Sequence, residues 1–272
     1  MGISIETIKT PSFEMDYFRF GQGRKPFVII PGLSILSVTT FAAAVASAYR
    51  VFGNDYTAYV LDRRKNLPDS YSIADIARDT AEAMEALGLK ETYLFGASQG
   101  GMIAQLIAIE YPQLVKKLVL GSTTSHAHAG EYPVIENWVR LAKEGDPEAL
   151  YLDFGEKIYS EESMEKFRGA LIAAAGMVTE QDMARFIILA ESMQGFDVRE
   201  RLCEIKCPVL LLGAEDDRVL NGEATREIAA HLRARADDAA PAVELHMHTG
   251  YGHASFDLAP DYKDRLLRFF GD

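Results

Sequence analysis

The 272-residue sequence predicts an α/β protein with a doubly wound, largely parallel sheet. Three observations predict it. Runs that are apolar throughout, such as Phe27-Val28-Ile29-Ile30 and Val209-Leu210-Leu211-Leu212, have the composition of strands covered on both faces. Stretches of helical period, such as Ile73 to Leu87, lie between them. The joints are short, so strand, helix and strand alternate as they do around a parallel sheet.

Along the chain, Ile3 to Ile8 and Glu14 to Phe20 alternate apolar and polar residues, the mark of half-exposed antiparallel strands. Phe27–Ile30 is a central strand that Pro31-Gly32-Leu33-Ser34 stops and opens into a loop. A helix from about Val38 to Tyr49, a strand over Tyr56–Leu61 and a helix over Ile73–Leu87 follow, the last with Ser72 and Asp75 as a capping box. The run from Val115 to Leu120 is a further strand, ending at Gly121. Between Ser125 and Arg201 only helical stretches stand out: Val134 to Lys143, Met164 to Ala174 and Asp182 to Met193. The strand pattern then resumes at Pro208–Gly213, so this segment reads as a helical insertion over the carboxyl edge of the sheet, where open α/β folds bind ligands. A helix from Asn221 to Arg233, a surface loop at Asp237–Pro241, a last strand over Val243–Met247 and a terminal helix opened by Ala259-Pro260-Asp261 complete the expectation.

The most informative stretch is Tyr93-Leu94-Phe95-Gly96-Ala97-Ser98-Gln99-Gly100-Gly101. An apolar strand runs through a glycine-flanked serine into the helix formers after Met102. Gly96-Ala97-Ser98-Gln99-Gly100 fits G-x-S-x-G, and the strand and helix that the motif requires are expected independently of it. A serine that merely caps a helix needs no such glycines.

Composition narrows the partners. The formal net charge of −12 speaks against sequence-independent binding to nucleic acid or to an anionic membrane. The most apolar helix, Val38 to Phe52, is too short to span a bilayer. The amino terminus lacks a signal-peptide pattern, so a cytoplasmic protein is expected. Cys203 and Cys207 are spaced C-x-x-x-C, neither a redox pair nor half of a zinc site. His126-x-His128 lacks a third ligand, so no metal is expected there. His246 and His248 share one strand face and read as packing or surface residues. Arg63-Arg64-Lys65 is a candidate to meet an anionic substrate group, but such a charge run reads first as solvated surface.

A serine hydroxyl needs a base within hydrogen-bond reach, and that base needs an acid to fix its tautomer. The loops after the last two strands hold both: Glu215-Asp216-Asp217-Arg218-Val219 and Gly250-Tyr251-Gly252-His253. The order Ser, Asp, His is the one associated with α/β-hydrolases. On Pro31-Gly32-Leu33, Gly96–Gly101, Gly213–Val219 and Gly250–His253, the sequence resembles the α/β-hydrolase superfamily, in the branch with a helical cap. The resemblance covers nearly all the chain outside the cap. It departs from many relatives in having Pro31-Gly32 where they carry His-Gly.

The resemblance implies an eight-stranded, mostly parallel sheet, with a core over residues 1–124 and 202–272 and a cap over residues 125–201. It implies Ser98 as nucleophile, His253 as general base and then acid, and an aspartate as orienter. Asp216 and Asp217 both qualify and Glu215 less so; the Asp-Arg-Val run favours Asp217. It further implies an oxyanion hole from the backbone N–H groups of Leu33 and Gln99, with no cofactor. The expected partner is a small-molecule acyl substrate, and nothing in the sequence fixes an oligomeric state.

A hydrolase of small carboxylic esters or related acyl compounds is therefore the leading expectation. Dehalogenases and epoxide hydrolases of this fold carry Asp at the elbow, so Ser98 counts against them. Carbon–carbon bond hydrolases and aminopeptidases keep serine and stay open; an aminopeptidase would need cap carboxylates, for which Glu131, Glu136 and Glu191 are candidates. A ligand-binding, receptor-like protein that moves its cap is the alternative outside catalysis.

Overall fold

The structure is a computed structural model that describes residues 2–234 and 241–271. Its strands are β1 (Ile5–Lys9), β2 (Glu14–Gly21), β3 (Lys25–Ile30), β4 (Tyr56–Arg64), β5 (Thr92–Ala97), β6 (Val115–Gly121), β7 (His126–Ala127), β8 (Phe196–Asp197), β9 (Val209–Ala214) and β10 (Val243–His248). Its α-helices are α1 (Ala42–Ala48), α2 (Ile73–Ala86), α3 (Gln99–Glu110), α4 (Pro133–Glu144), α5 (Pro147–Ile158), α6 (Glu161–Ala175), α7 (Glu180–Glu191), α8 (Gly222–Arg233), α9 (Ser255–Leu258) and α10 (Tyr262–Gly271). Eight strands form one sheet in the order β1-β2-β4-β3-β5-β6-β9-β10. As the alternating patterns predict, β1 and β2 pair antiparallel, and β2 also runs antiparallel to β4. The remaining pairs are parallel.

The apolar strands are covered on both faces because alternate side chains leave the sheet in opposite directions. Val28 and Ile30 join a core with Ile76 of α2, Ile103 of α3 and Ile228 of α8. Phe27 and Ile29 face a second core with Ala42 of α1 and Leu266 and Phe270 of α10. Phe27 centres an aromatic cluster on that side, 4.8 Å from Phe52 and 5.2 Å from Phe270 between ring centroids.

Register sets where the loops emerge. Ile30 lies beside Gly96, Ala97 beside Gly121, Gly121 beside Leu212, and Ala214 beside His248. The carboxyl ends of β3, β5, β9 and β10 therefore share one rim. Ser98 and the loops holding Leu33, Asp217 and His253 all open there.

Several elements differ from the sequence expectation. The helix expected from Val38 begins as a 3-10 turn over Val38–Phe41 before α1. The fourth strand continues past Leu61 to Arg64, carrying Asp62 and Arg63 into the interior. Between β6 and β9 there are four α-helices rather than three, since α5 has no clean apolar period. Its signal is terminal: Asp146 accepts from the Ala149 N–H at 2.9 Å, and Pro147 occupies the first turn. A two-residue ladder, His126 with Asp197 and Ala127 with Phe196, ties the ends of this segment together. Strands that short leave no period to read. The Ser72–Asp75 capping box forms as predicted. The loop expected at Asp237–Pro241 lies, up to residue 240, outside the described residues. Among the described residues, no helix is long and apolar enough to cross a membrane.

Candidate active site

Ser98 sits between β5 and α3 with φ 53° and ψ −123°. Positive φ costs a non-glycine residue free energy, of order 1–3 kcal/mol, and persists only where the surroundings enforce it. Here they do. A Cβ on Gly100 would stand 2.1 Å from the Ile30 carbonyl oxygen, and one on Gly96 would stand 2.2 Å from that of Gly100, so strand and helix approach too closely for any side chain. The Ser98 N–H donates to the Gly121 carbonyl at 2.8 Å, and the Thr123 hydroxyl donates to the Ser98 carbonyl at 2.7 Å. Strain at the serine is thus held from the end of β6 and the residues just after it.

The three residues that the sequence places far apart meet at this rim. Ser98 Oγ is 2.9 Å from His253 Nε2, and His253 Nδ1 is 2.8 Å from Asp217 Oδ2. His253 and Asp217 are buried, with 4% and 8% of their surface exposed, so water competes little for these bonds. Asp217 Oδ1 accepts the N–H groups of Val219 at 2.8 Å and Leu220 at 3.0 Å. Burial by itself would raise the Asp217 carboxyl. The neighbouring His253 and the two backbone donors outweigh it and hold the group below its ordinary value.

Asp216 occupies a different position. Its carboxylate accepts the Gly250 N–H at 3.2 Å and the Gly252 N–H at 3.0 Å, bracing the loop that carries His253. Both glycines have positive φ, 88° and 63°. Glu215 instead pairs with Arg226 on α8.

The turn that follows β3 lies against the serine. A Cβ on Gly32 would be 3.1 Å from Ser98 Cβ, and Leu33 is the next residue of that turn. Gln99 is the first residue of α3 and fully buried. N–H groups in a first helical turn have no intrahelical partner and point towards negative charge.

The charge run after β4 divides. Lys65 pairs with Asp16 near the surface, as a solvated run should, whereas the half-buried Arg64 pairs with the buried Asp79. Arg63 is 4% exposed, which corrects the expectation for that residue. Its Nη2 donates to the Pro31 carbonyl at 2.8 Å and to Gln99 Oε1 at 3.2 Å. Nothing adjacent in sequence marks this burial, because both partners are more than thirty positions away.

The remaining candidates are occupied by local partners. His126 lies 3.7 Å from both Glu131 and Glu227, and His128 lies 3.2 Å from Asp197. Glu136 accepts the Gly130 N–H, and Glu191 pairs with Lys143. His246, His248 and Asp261 bring ligand-type atoms within 4.8 Å of one another. Arg265 already holds Asp261 at 2.6 Å, so the cluster carries its own cation. A cavity of about 270 Å³ between α4 and α7, lined by Tyr132, Ile135 and Met193, contains none of Ser98, Asp217 and His253.

Comparison with known proteins agrees with this architecture. Residues 25–260 match the family model described as the alpha/beta hydrolase fold. A protein of Rhizobium rhizogenes provisionally named carbamate hydrolase RutD is 28% identical over 209 residues, 75% of this chain and 76% of its own length. Among solved structures, MGS-M2, an alpha/beta hydrolase enzyme from a Medee basin deep-sea metagenome library, superposes with a TM-score of 0.84 at 22% identity, covering 98% of each chain. The enol-lactonase of Burkholderia xenovorans LB400 gives a TM-score of 0.81 at 16% identity, over 98% of this chain and all of that one. With its sheet order, its strained serine turn and a family match over most of its length, the chain belongs to the α/β-hydrolase fold family of enzymes.

Proposed function

We propose that the protein hydrolyses a small carboxylic ester or a related acyl compound through an acyl-enzyme intermediate. The observation that carries this reading is the continuous hydrogen-bonded chain Ser98–His253–Asp217, built on a serine at positive φ. In the proposed reaction His253 Nε2 takes the hydroxyl proton as Ser98 Oγ attacks the carbonyl carbon. Asp217 holds the other ring nitrogen protonated and stabilises the imidazolium that forms. The carbonyl oxygen becomes an oxyanion, and the backbone N–H groups of Leu33 and Gln99 receive it. The imidazolium then protonates the leaving group. Water, deprotonated by the same ring, attacks the acyl-enzyme and releases the acid.

Two features support the assignment of the hole. The Gln99 N–H lies at the positive end of a helix dipole. The Pro31–Ser34 turn is pressed so close to Ser98 that a Cβ on Gly32 would meet Ser98 Cβ at 3.1 Å and the Ala97 carbonyl oxygen at 3.2 Å. The helices between β6 and β9 act as the cap that shapes the acyl pocket. The Rhizobium relative's name makes carbamates the first non-ester class to try, since they react through the same tetrahedral geometry.

The experiment is a turnover screen of p-nitrophenyl esters of graded acyl length, with an aryl carbamate and an amino-acid p-nitroanilide beside them. Turnover of short acyl esters or of the carbamate, with the anilide inert, is expected. Turnover of the anilide alone would move the assignment to an aminopeptidase. No turnover of any, together with no labelling by a fluorophosphonate, would leave a ligand-binding protein.

A further inference from the structure

We propose that Arg63 is a positioning residue that holds both halves of the oxyanion hole in register. The proposal rests on the acyl-transfer reading above. One nitrogen of its guanidinium bonds the Pro31 carbonyl at 2.8 Å and the Gln99 side-chain oxygen at 3.2 Å. Pro31 precedes the Gly32-Leu33 turn by one residue, and Gln99 is the other donor residue. A single buried cation therefore touches the segment carrying each donor.

The neighbour Asp62 completes the clamp. Successive strand residues point to opposite faces, so Asp62 and Arg63 reach different parts of the same loop. Asp62 Oδ2 accepts the Ser37 hydroxyl at 2.6 Å, fixing the far end of the Pro31–Ser37 segment whose near end Arg63 holds. The expected donor, Leu33, lies between the two anchors. The other oxygen of Asp62 pairs with Arg185 of α7 at 2.6 Å. Gln99 reaches the end of the same helix, where its Nε2 donates to the Leu189 carbonyl at 2.6 Å. The clamp is thereby continuous with the inserted helices.

Burying a guanidinium is expensive, and the Pro31 carbonyl, the Gln99 amide oxygen and the nearby charge of Asp62 offset only part of that cost. Arg63 Nε, moreover, has no hydrogen-bond partner among the described residues. Burial pushes the guanidinium down to about 10, so it stays charged at neutral pH. A cost of this kind is found where geometry matters more than stability.

The test compares wild type with Arg63→Met and Arg63→Lys on the best ester of the screen. Three quantities are read: kcat, KM, and the inhibition constant of an alkylboronic acid. That inhibitor accepts the Ser98 oxygen at boron and places a boronate oxygen where the oxyanion forms. Loss of one oxyanion donor costs on the order of 10²–10³ in rate, so misplacing the pair through Arg63→Met is expected to lower kcat about ten- to a hundredfold. The boronate constant should rise by a similar factor, with KM changed by less than about threefold. Arg63→Lys keeps the charge with a differently placed donor, and should give the same pattern at about three- to tenfold. It carries the test if Arg63→Met does not fold. A folded variant with wild-type kcat and boronate affinity would overturn the proposal. So would a rise in KM alone, which would mark a merely structural residue. Failure of wild type itself to turn over any ester or to react with a fluorophosphonate would instead overturn the acyl-transfer reading.

Discussion

Replacing Ser98 with alanine is expected to lower kcat/KM by roughly 10⁴ to 10⁶, leaving only the residual rate that substrate binding and the oxyanion hole supply. The substitution isolates the chemistry. Ser98 has φ 53°, and alanine suffers the same strain there as serine does, so the turn between β5 and α3 gains no new backbone cost. The contacts that enforce the turn are made by backbone atoms, by Gly96, Gly100 and Gly101 and by the Thr123 hydroxyl, none of which changes. Thermal unfolding of the variant should therefore stay within a few degrees of wild type while turnover disappears. Turnover above a hundredth of wild type would name a different nucleophile.

Asp217→Asn is expected to cost about 10⁴ in kcat, and Asp216→Asn only about two- to tenfold. The difference follows from what each oxygen does. Asparagine at position 217 keeps one oxygen for the Val219 and Leu220 N–H groups, so the loop stays in place. The NH₂ group then faces His253 Nδ1, 2.8 Å away in the wild type. A donor there forces the proton onto Nε2, so the ring presents N–H to Ser98 and no longer takes its proton. Asp216 lies outside this relay; asparagine there loses one of two bonds to the Gly250–Gly252 backbone. Steady-state kinetics on both variants decides the matter, and the reverse ranking would make Asp216 the acid.

How legible the site was depended on how far apart its determinants lie. Ser98 was legible because strand, glycines and helix are contiguous and each carries its own local signal. Asp217 and His253 were legible because parallel topology sends the ends of β9 and β10 to the rim where β5 ends. The Asp-Arg-Val run favours Asp217 over Asp216, and the coordinates add which of the two carboxylates faces His253. Two adjacent carboxylates in one loop differ only in direction, and direction is set by Val219, Leu220 and the Gly250 turn. Arg63 was not legible at all. Its neighbours grade from half-buried Arg64 to exposed Lys65, and its burial is decided by Pro31 and Gln99, residues on other elements. The short β7–β8 ladder and α5 were missed for a related reason, since neither carries the apolar period by which the other elements declare themselves.

The proposed reaction requires Ser98, His253 and Asp217 to act as one catalytic unit. Its most direct test is reaction of the protein with a fluorophosphonate, followed by mass spectrometry of the proteolytic peptides. One adduct per chain, on Ser98, formed quickly in wild type and at least a hundredfold more slowly in a His253→Ala variant, is the expected result. An adduct on another residue, or ester turnover that persists in protein whose Ser98 carries the adduct, would contradict it.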